Sequence, residues 1–118
     1  MGRLSTHVLD TMNGCPAAGM QVTLERLADG RSESIAHLSL DADGRNPGGP
    51  LLSADTMRPG QYRLSFHVGA YFRARGVALP DPPFIDIVPI EFGIADPGGH
   101  YHVPLLVSPW AYSTYRGS

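Results

Sequence analysis

The chain has 118 residues, of which 42% are apolar and 17% charged, and its formal net charge at pH 7 is −2. A chain of this length has the size of one domain and can bury a core without disulfides. The absence of a basic block argues against nucleic-acid binding. Cys15 is the one cysteine, which excludes an intrachain disulfide and a multi-cysteine metal site. Lysine is absent, which excludes Schiff-base chemistry.

The N-terminal residues show no targeting segment. The residues after Arg3 are too polar for a signal-peptide core, and no apolar run is long enough to span a membrane. We therefore expect a cytoplasmic protein with no membrane partner. The opening MGRLST matches the myristoylation pattern at Gly2, but the same residues begin a good strand, so modification of Gly2 stays open.

Fourteen glycines and eleven prolines divide the chain into short alternating runs, a pattern typical of an all-β sandwich. Seven or eight strands are predicted, chiefly at residues 4–10, 20–26, 32–40, 60–68, 84–92, 100–108 and 111–116. Residues 41–52 are too rich in glycine and proline for a regular element and predict a long loop. One short helix is predicted at 70–76, stopped by Gly76. Pro89 places its strand at a sheet edge or at a bulge.

The strand that begins with HYH has one fully apolar face. Side chains alternate across a strand, so this apolar face is predicted to lie in the core, with Tyr101, Val103, Leu105 and Val107. His100 and His102 therefore point away from the core. The same alternation places His7 and Tyr115 on outer faces of their strands, and the long loop that carries Arg45 is able to reach them.

Histidines on one outer face favour two kinds of site. One is acid–base chemistry, because imidazole changes its charge near neutral pH. The other is a three-histidine zinc site in which His7 joins His100 and His102. The chain has no G-x-S-x-G motif, which argues against a serine hydrolase of that type. His37 and His67 are interpreted as solvated bystanders.

Four segments of the chain form a recognisable set, namely LSTHVLDTMNGCPAAGMQVTLER, DGRNPGGPL, FHVGAYF and the final YRGS. Through these segments the chain resembles, from end to end, the 5-hydroxyisourate hydrolases, the transthyretin-like enzymes of urate degradation in purine metabolism. The YRGS ending distinguishes these hydrolases from the hormone-carrying transthyretins. The resemblance implies one transthyretin-like domain over residues 1–118, a sandwich of two four-stranded sheets with one short helix. It also implies a homotetramer, a dimer of dimers, with active sites in the channel between the dimers.

The resemblance also implies the site and its reaction. The family's site residues fall on His7, Arg45, His102 and Tyr115. The implied reaction is hydrolysis of the ring amide of a small substrate, 5-hydroxyisourate, with no metal and no cofactor. His7 or His102 activates water, and Arg45 acts with them. Tyr115 and the Ser118 carboxylate are expected to help bind the substrate together with His7 and Arg45.

Two alternatives remain beside this interpretation. The first is a non-catalytic, transthyretin-like carrier whose polar channel binds a small ligand. The second is the three-histidine zinc hydrolase, against which the fixed positive charge of Arg45 argues. The sequence leaves open which histidine is the general base, and it leaves open the roles of His100 and Cys15.

Overall fold

The computed structural model describes residues 1–117, which form two four-stranded sheets and one short helix. The strands are β1 (Arg3–Asp10), β2 (Cys15–Pro16), β3 (Gln21–Ala28), β4 (Arg31–Ser39), β5 (Gly60–His67), β6 (Ile87–Ile94), β7 (His100–Val107) and β8 (Tyr112–Thr114). Sheet A has the strand order β2-β1-β7-β8, and sheet B has the order β4-β3-β5-β6. The helix α1 (Val68–Ala74) follows β5 directly. The predicted all-β sandwich of two four-stranded sheets with one helix is confirmed.

The core lies between the inner faces of the two sheets. The predicted inward residues of β5 and β7 are buried there, namely Tyr62, Leu64, Phe66, Tyr101, Val103, Leu105 and Val107. Full burial of a large apolar side chain contributes about 1.5–3 kcal/mol. This burial determines which face of each strand turns inward. Ser5 and His7 of β1 and His100 and His102 of β7 are consequently left on the outer face of sheet A, whereas the polar Thr6 and Asp10 of β1 are buried.

Most predicted boundaries differ from the structure by one to three residues. The helix begins at Val68 rather than residue 70, and β6 begins at Ile87 rather than residue 84. Both differences have one cause, because the carbonyl of Asp86 accepts the N–H groups of Val68 and Gly69, each at 3.0 Å. Asp86 therefore caps the helix instead of pairing in the sheet. β6 does lie at a sheet edge, as Pro89 predicted.

The last predicted strand is also shorter than expected. β8 ends at Thr114, whereas the prediction ran to residue 116. The guanidinium carbon of Arg116 lies 4.1 Å from the ring centroid of Tyr101, so this side chain turns onto the aromatic ring. In the part of the chain that the structure describes, no helix has the length and apolar character needed to cross a membrane.

Candidate active site

The pairing of β1 with β7 brings two histidines together on the outer face of sheet A. The strands are parallel, and their register places Ser5 beside His102 and His7 beside Pro104. The imidazole rings of His7 and His102 are stacked, with centroids 6.4 Å apart and planes inclined by 28°. Residues 95 positions apart in the sequence thus form one imidazole pair.

The ring of His102 is held on two sides. The Oγ of Ser5 lies 2.8 Å from Nδ1 of His102. The backbone N–H of Gly117 donates to the carbonyl of His102 at 2.7 Å. A Cβ atom at position 117 would lie 2.7 Å from Cδ2 of His102, so only glycine allows this approach. Gly117 is therefore needed for close packing against the imidazole.

The long loop brings Arg45 to the histidines because it lies along the part of the β1 edge that β2 leaves unpaired. The backbone N–H of Val8 donates to the carbonyl of Gly44 at 2.8 Å, and an antiparallel bridge pairs His7 with Arg45. Gly44 has a φ of +73°, and a Cβ atom there would lie 2.6 Å from the carbonyl oxygen of Val8. Both the positive φ and the close approach to Val8 therefore require glycine at position 44.

The carboxylate of Asp41 stabilises the loop from inside. It accepts the backbone N–H groups of Asp43 at 2.9 Å and Arg45 at 3.0 Å. The Asn46 side chain accepts the backbone N–H of Thr6 at 2.8 Å. These bonds replace a regular strand as the partner of β1, and they define the position of the Arg45 backbone beside His7.

The surroundings of His102 favour its neutral form. Partial burial is the main cause that lowers its pKa below the ordinary value of 6.5, followed by the positive charge of Arg45 and by His7 and Arg3. None of the influences found for His102 raises its pKa. His102 is therefore an unprotonated imidazole at pH 7, able to accept a proton.

The surroundings of His7 are mixed. Burial and Arg45 lower its pKa below 6.5. The backbone carbonyl of Asp43 and the carboxylates of Asp41 and Asp43 act in the opposite direction. His7 thus has nearby groups that stabilise its protonated form, and His102 does not.

The guanidinium of Arg45 is exposed beside the two rings. Within residues 1–117 it makes neither an ion pair nor a side-chain hydrogen bond. A planar guanidinium without a partner can donate two parallel hydrogen bonds to a carbonyl or an anionic oxygen. The face thus combines two imidazoles of lowered pKa with an exposed cation.

Tyr115 lies immediately after β8, at the edge of sheet A, and within residues 1–117 its side chain makes no hydrogen bond to His7, Arg45 or His102. Its side chain is 60% exposed. It also lines a cavity of about 390 Å³ at the edges of β6 and β8, together with Phe92, Tyr101 and Arg116. Ser118, the other predicted substrate-binding residue, lies outside the described residues.

The described chain does not offer the ligands of a zinc site. No group of three histidine, cysteine, aspartate or glutamate side chains within residues 1–117 is arranged to hold a metal ion. His100 is exposed, and its carbonyl accepts a hydrogen bond from Arg116 at 3.1 Å. This geometry argues against the three-histidine alternative.

The sequence interpretation did not select Ser5 or Asp41. Alternation along β1 places Ser5 on the same face as His7, which is the one signal that points to it. Its pairing with His102 depends on the parallel register of β1 and β7. An aspartate in a turn commonly accepts backbone N–H groups with its side chain. The position of Asp41 at the start of the long loop was therefore the one sequence signal for its role.

A sandwich of two four-stranded sheets with this short helix defines a protein of the transthyretin fold. The chain belongs to the HIUase/Transthyretin family, whose sequence profile matches residues 4–117. It is 52% identical over 118 residues to the 5-hydroxyisourate hydrolase of Ralstonia nicotianae, with all of both chains covered.

Two solved structures show the same fold. The crystal structure of (S)-allantoin synthase aligns with a TM-score of 0.94 and 47% identity, over 99% of this chain and 44% of that chain. The chain therefore spans less than half the length of that synthase. Sea bream transthyretin in complex with thyroxine aligns with a TM-score of 0.84 and 30% identity, over 98% of this chain and 94% of that one.

Proposed function

We propose that this protein is an enzyme that hydrolyses the ring amide of 5-hydroxyisourate in the degradation of urate. One observation carries the proposal: the stacked pair of His7 and His102 stands beside Arg45 on one sheet face. The full-length similarity to the hydrolase of Ralstonia nicotianae supports the same substrate.

In the proposed mechanism, His102 is the general base. Attack of water on an amide carbonyl requires a group that takes a proton from the water. His102 suits this role because burial and the charge of Arg45 keep it unprotonated at pH 7. His7 then donates a hydrogen bond from its neutral imidazole N–H to the leaving ring nitrogen and passes that proton on, because burial and Arg45 lower its pKa below 6.5 against the opposing effect of Asp41 and Asp43.

Arg45 is proposed to bind the substrate and to stabilise the oxyanion that forms during the attack. Its guanidinium is permanently charged, and preorganised donors of this kind contribute strongly to acyl transfer. We propose Tyr115 and Ser118 as further substrate-binding residues. The exposed phenol of Tyr115 is free to stack against a flat ring or to donate a hydrogen bond.

We propose that the single domain of residues 1–118 assembles into a homotetramer, a dimer of dimers. The site is an open sheet face in one chain, and Leu9, which is 37% exposed, lies on this face beside Leu106. A second copy over this face would form a channel and exclude water from the reaction. The unpaired edges of β6 and β8 are available to extend the sheets into a dimer.

A non-catalytic carrier is the second candidate function. It is favoured by the 30% identity to sea bream transthyretin, which was solved in complex with thyroxine. A carrier does not need a neutral imidazole beside an arginine, so the site itself argues for the hydrolase. A cytoplasmic location stays a prediction from the sequence.

The decisive experiment follows freshly generated 5-hydroxyisourate by its ultraviolet absorbance, with and without the protein and in the presence of a strong chelator. We expect the protein to accelerate the decay, and we expect the chelator to change nothing. Decay at the uncatalysed rate together with stoichiometric ligand binding would support the carrier. Loss of turnover in chelator that added zinc restores would support the zinc hydrolase.

A further inference from the structure

Ser5 makes a specific contact with the proposed general base. Its Oγ lies 2.8 Å from Nδ1 of His102, a normal hydrogen-bond distance. Within residues 1–117 this is the one hydrogen bond of either side chain. The two residues lie directly opposite each other on β1 and β7, and both are half-buried on the outer face of sheet A.

The remaining freedom of the His102 ring is restricted by Gly117. Its Cα approaches the imidazole so closely that an added Cβ would lie within 3.3 Å of three His102 side-chain atoms. Its backbone N–H also bonds the His102 carbonyl. The ring thus lies against glycine, while Nδ1 faces Ser5. The contacts with Ser5 and Gly117 therefore favour the ring orientation in which Nε2 of His102 is left for other partners.

We propose that Ser5 is a positioning residue: its hydroxyl accepts a hydrogen bond from Nδ1–H of His102 and so keeps Nε2 unprotonated for the attacking water. This inference rests on the proposed hydrolase function. A neutral imidazole carries its proton on one nitrogen, and the hydrogen bond at that nitrogen determines the tautomer. Without Ser5, the proton can move to Nε2, and His102 can no longer act as a base through that atom.

A serine hydroxyl within hydrogen-bond distance of a histidine can also be an activated nucleophile, which is the alternative role for Ser5. Two observations favour positioning instead. Ser5 lies in the middle of a strand rather than on the sharp strand-to-helix turn that exposes a nucleophilic serine. In addition, none of the carboxylates in residues 1–117 hydrogen-bonds the His102 ring, as the third member of a catalytic triad does.

The first test compares three variants. Ser5→Ala removes the hydroxyl, and Ser5→Thr keeps one. Ser65→Ala is the matched control, because Ser65 is also half-buried on an outer strand face but lies in sheet B, on β5. For Ser5→Ala we expect kcat to fall by about 10- to 100-fold, because the loss of a group that orients a histidine has effects of this size. We expect KM to change by less than about 2-fold. Ser5→Thr should recover most of kcat, and Ser65→Ala should match the unmodified protein.

The second test reads the tautomer directly by ¹⁵N NMR of the protein labelled at histidine, with the His102 signals assigned from His102→Ala. At a pH above the His102 pKa, the unmodified protein should show the Nδ1–H tautomer. Ser5→Ala should shift it toward Nε2–H. This readout does not depend on turnover, so it decides the role of Ser5 even if the protein does not hydrolyse 5-hydroxyisourate. If Ser5→Ala does not fold, the tautomer of His102 in the unmodified protein still tests the proposal.

Three outcomes would overturn the proposal. One is an Nε2–H tautomer in the unmodified protein. Another is an unchanged kcat in a folded Ser5→Ala variant. The third is a stoichiometric burst of product with a covalent adduct on Ser5, which would assign this residue as the nucleophile. Failure of the unmodified protein to turn over 5-hydroxyisourate would instead contradict the proposed function.

Discussion

The five histidines of this chain occupy chemically different surroundings, so their substitution should have different effects on kcat. We expect His102→Ala and His7→Ala to lower kcat by about 10²- to 10⁴-fold each, because a positioned acid or base contributes that much. His37→Ala and His67→Ala are controls in sheet B and should leave kcat unchanged. Steady-state kinetics with fresh 5-hydroxyisourate measures all four variants. Equal, small effects at the four positions would contradict the assignment.

The pH dependence tests the neutral state of His102. Since its pKa lies below 6.5, kcat/KM should fall only as the pH drops below 6.5, when the base becomes protonated. The charge of Arg45 contributes to this shift, so Arg45→Gln should move the midpoint upward as well as weakening substrate binding. A midpoint at or above pH 6.5 in the unmodified protein would argue against His102 as the base.

The same shifts affect stability. The unfolded chain binds protons at His7 and His102 near pH 6.5, whereas the folded chain binds them only at lower pH. The free energy of unfolding therefore decreases as the pH falls through 6.5 toward the folded pKa values. Urea denaturation at several pH values measures this loss. Replacing both histidines with glutamine should reduce the loss in this pH range.

Among the elements, the loop of residues 41–52 depends most on single residues. Gly44→Ala should destabilise the protein and lower kcat/KM, because its methyl group would displace the carbonyl of Val8 and with it the Arg45 backbone. Gly48→Ala is the matched control: Gly48 has a similar φ of +74°, but nothing lies within 4 Å of its added Cβ. It should cost only about 1–2 kcal/mol, the penalty of a left-handed backbone. Thermal unfolding and kinetics distinguish the two, and equal losses would contradict the steric argument.

The regular elements were largely predictable because strand alternation is local. The apolar faces of β5 and β7 follow from their own residues, and burial in the core agrees with them. The start of β6 was not predictable in this way. It depends on the Asp86 carbonyl, which accepts the N–H groups of Val68 and Gly69 in the first turn of α1. Strand ends at such junctions follow from contacts between elements.

At the scale of the whole molecule, the proposed tetramer predicts a light-scattering mass four times the 12.7 kDa of one chain. Leu9→Glu should divide the tetramer into dimers and lower turnover, since it places a charge on the face that we propose to lie between dimers. Ile35→Glu is the control, because Ile35 is 38% exposed, close to the 37% of Leu9, but belongs to β4 in sheet B. A monomer at micromolar concentration, or equal effects of both variants, would contradict the channel.

The amino-acid sequence was sufficient to predict the direction in which the site side chains point. Alternation along β1 and β7 sends His7 and His102 outward whatever the strands pair with, because it is a property of the extended backbone. The resemblance to a known family then implied the sandwich and placed Arg45 in the site.

The contacts within the site depend on the folded chain. Ser5 meets His102 only because β1 and β7 pair in parallel, 97 residues apart in sequence. Arg45 reaches His7 only because its loop occupies the part of the β1 edge that β2 leaves unpaired. Such pairings are set by the burial of the common core and by edge hydrogen bonds between distant segments, and no local pattern encodes them.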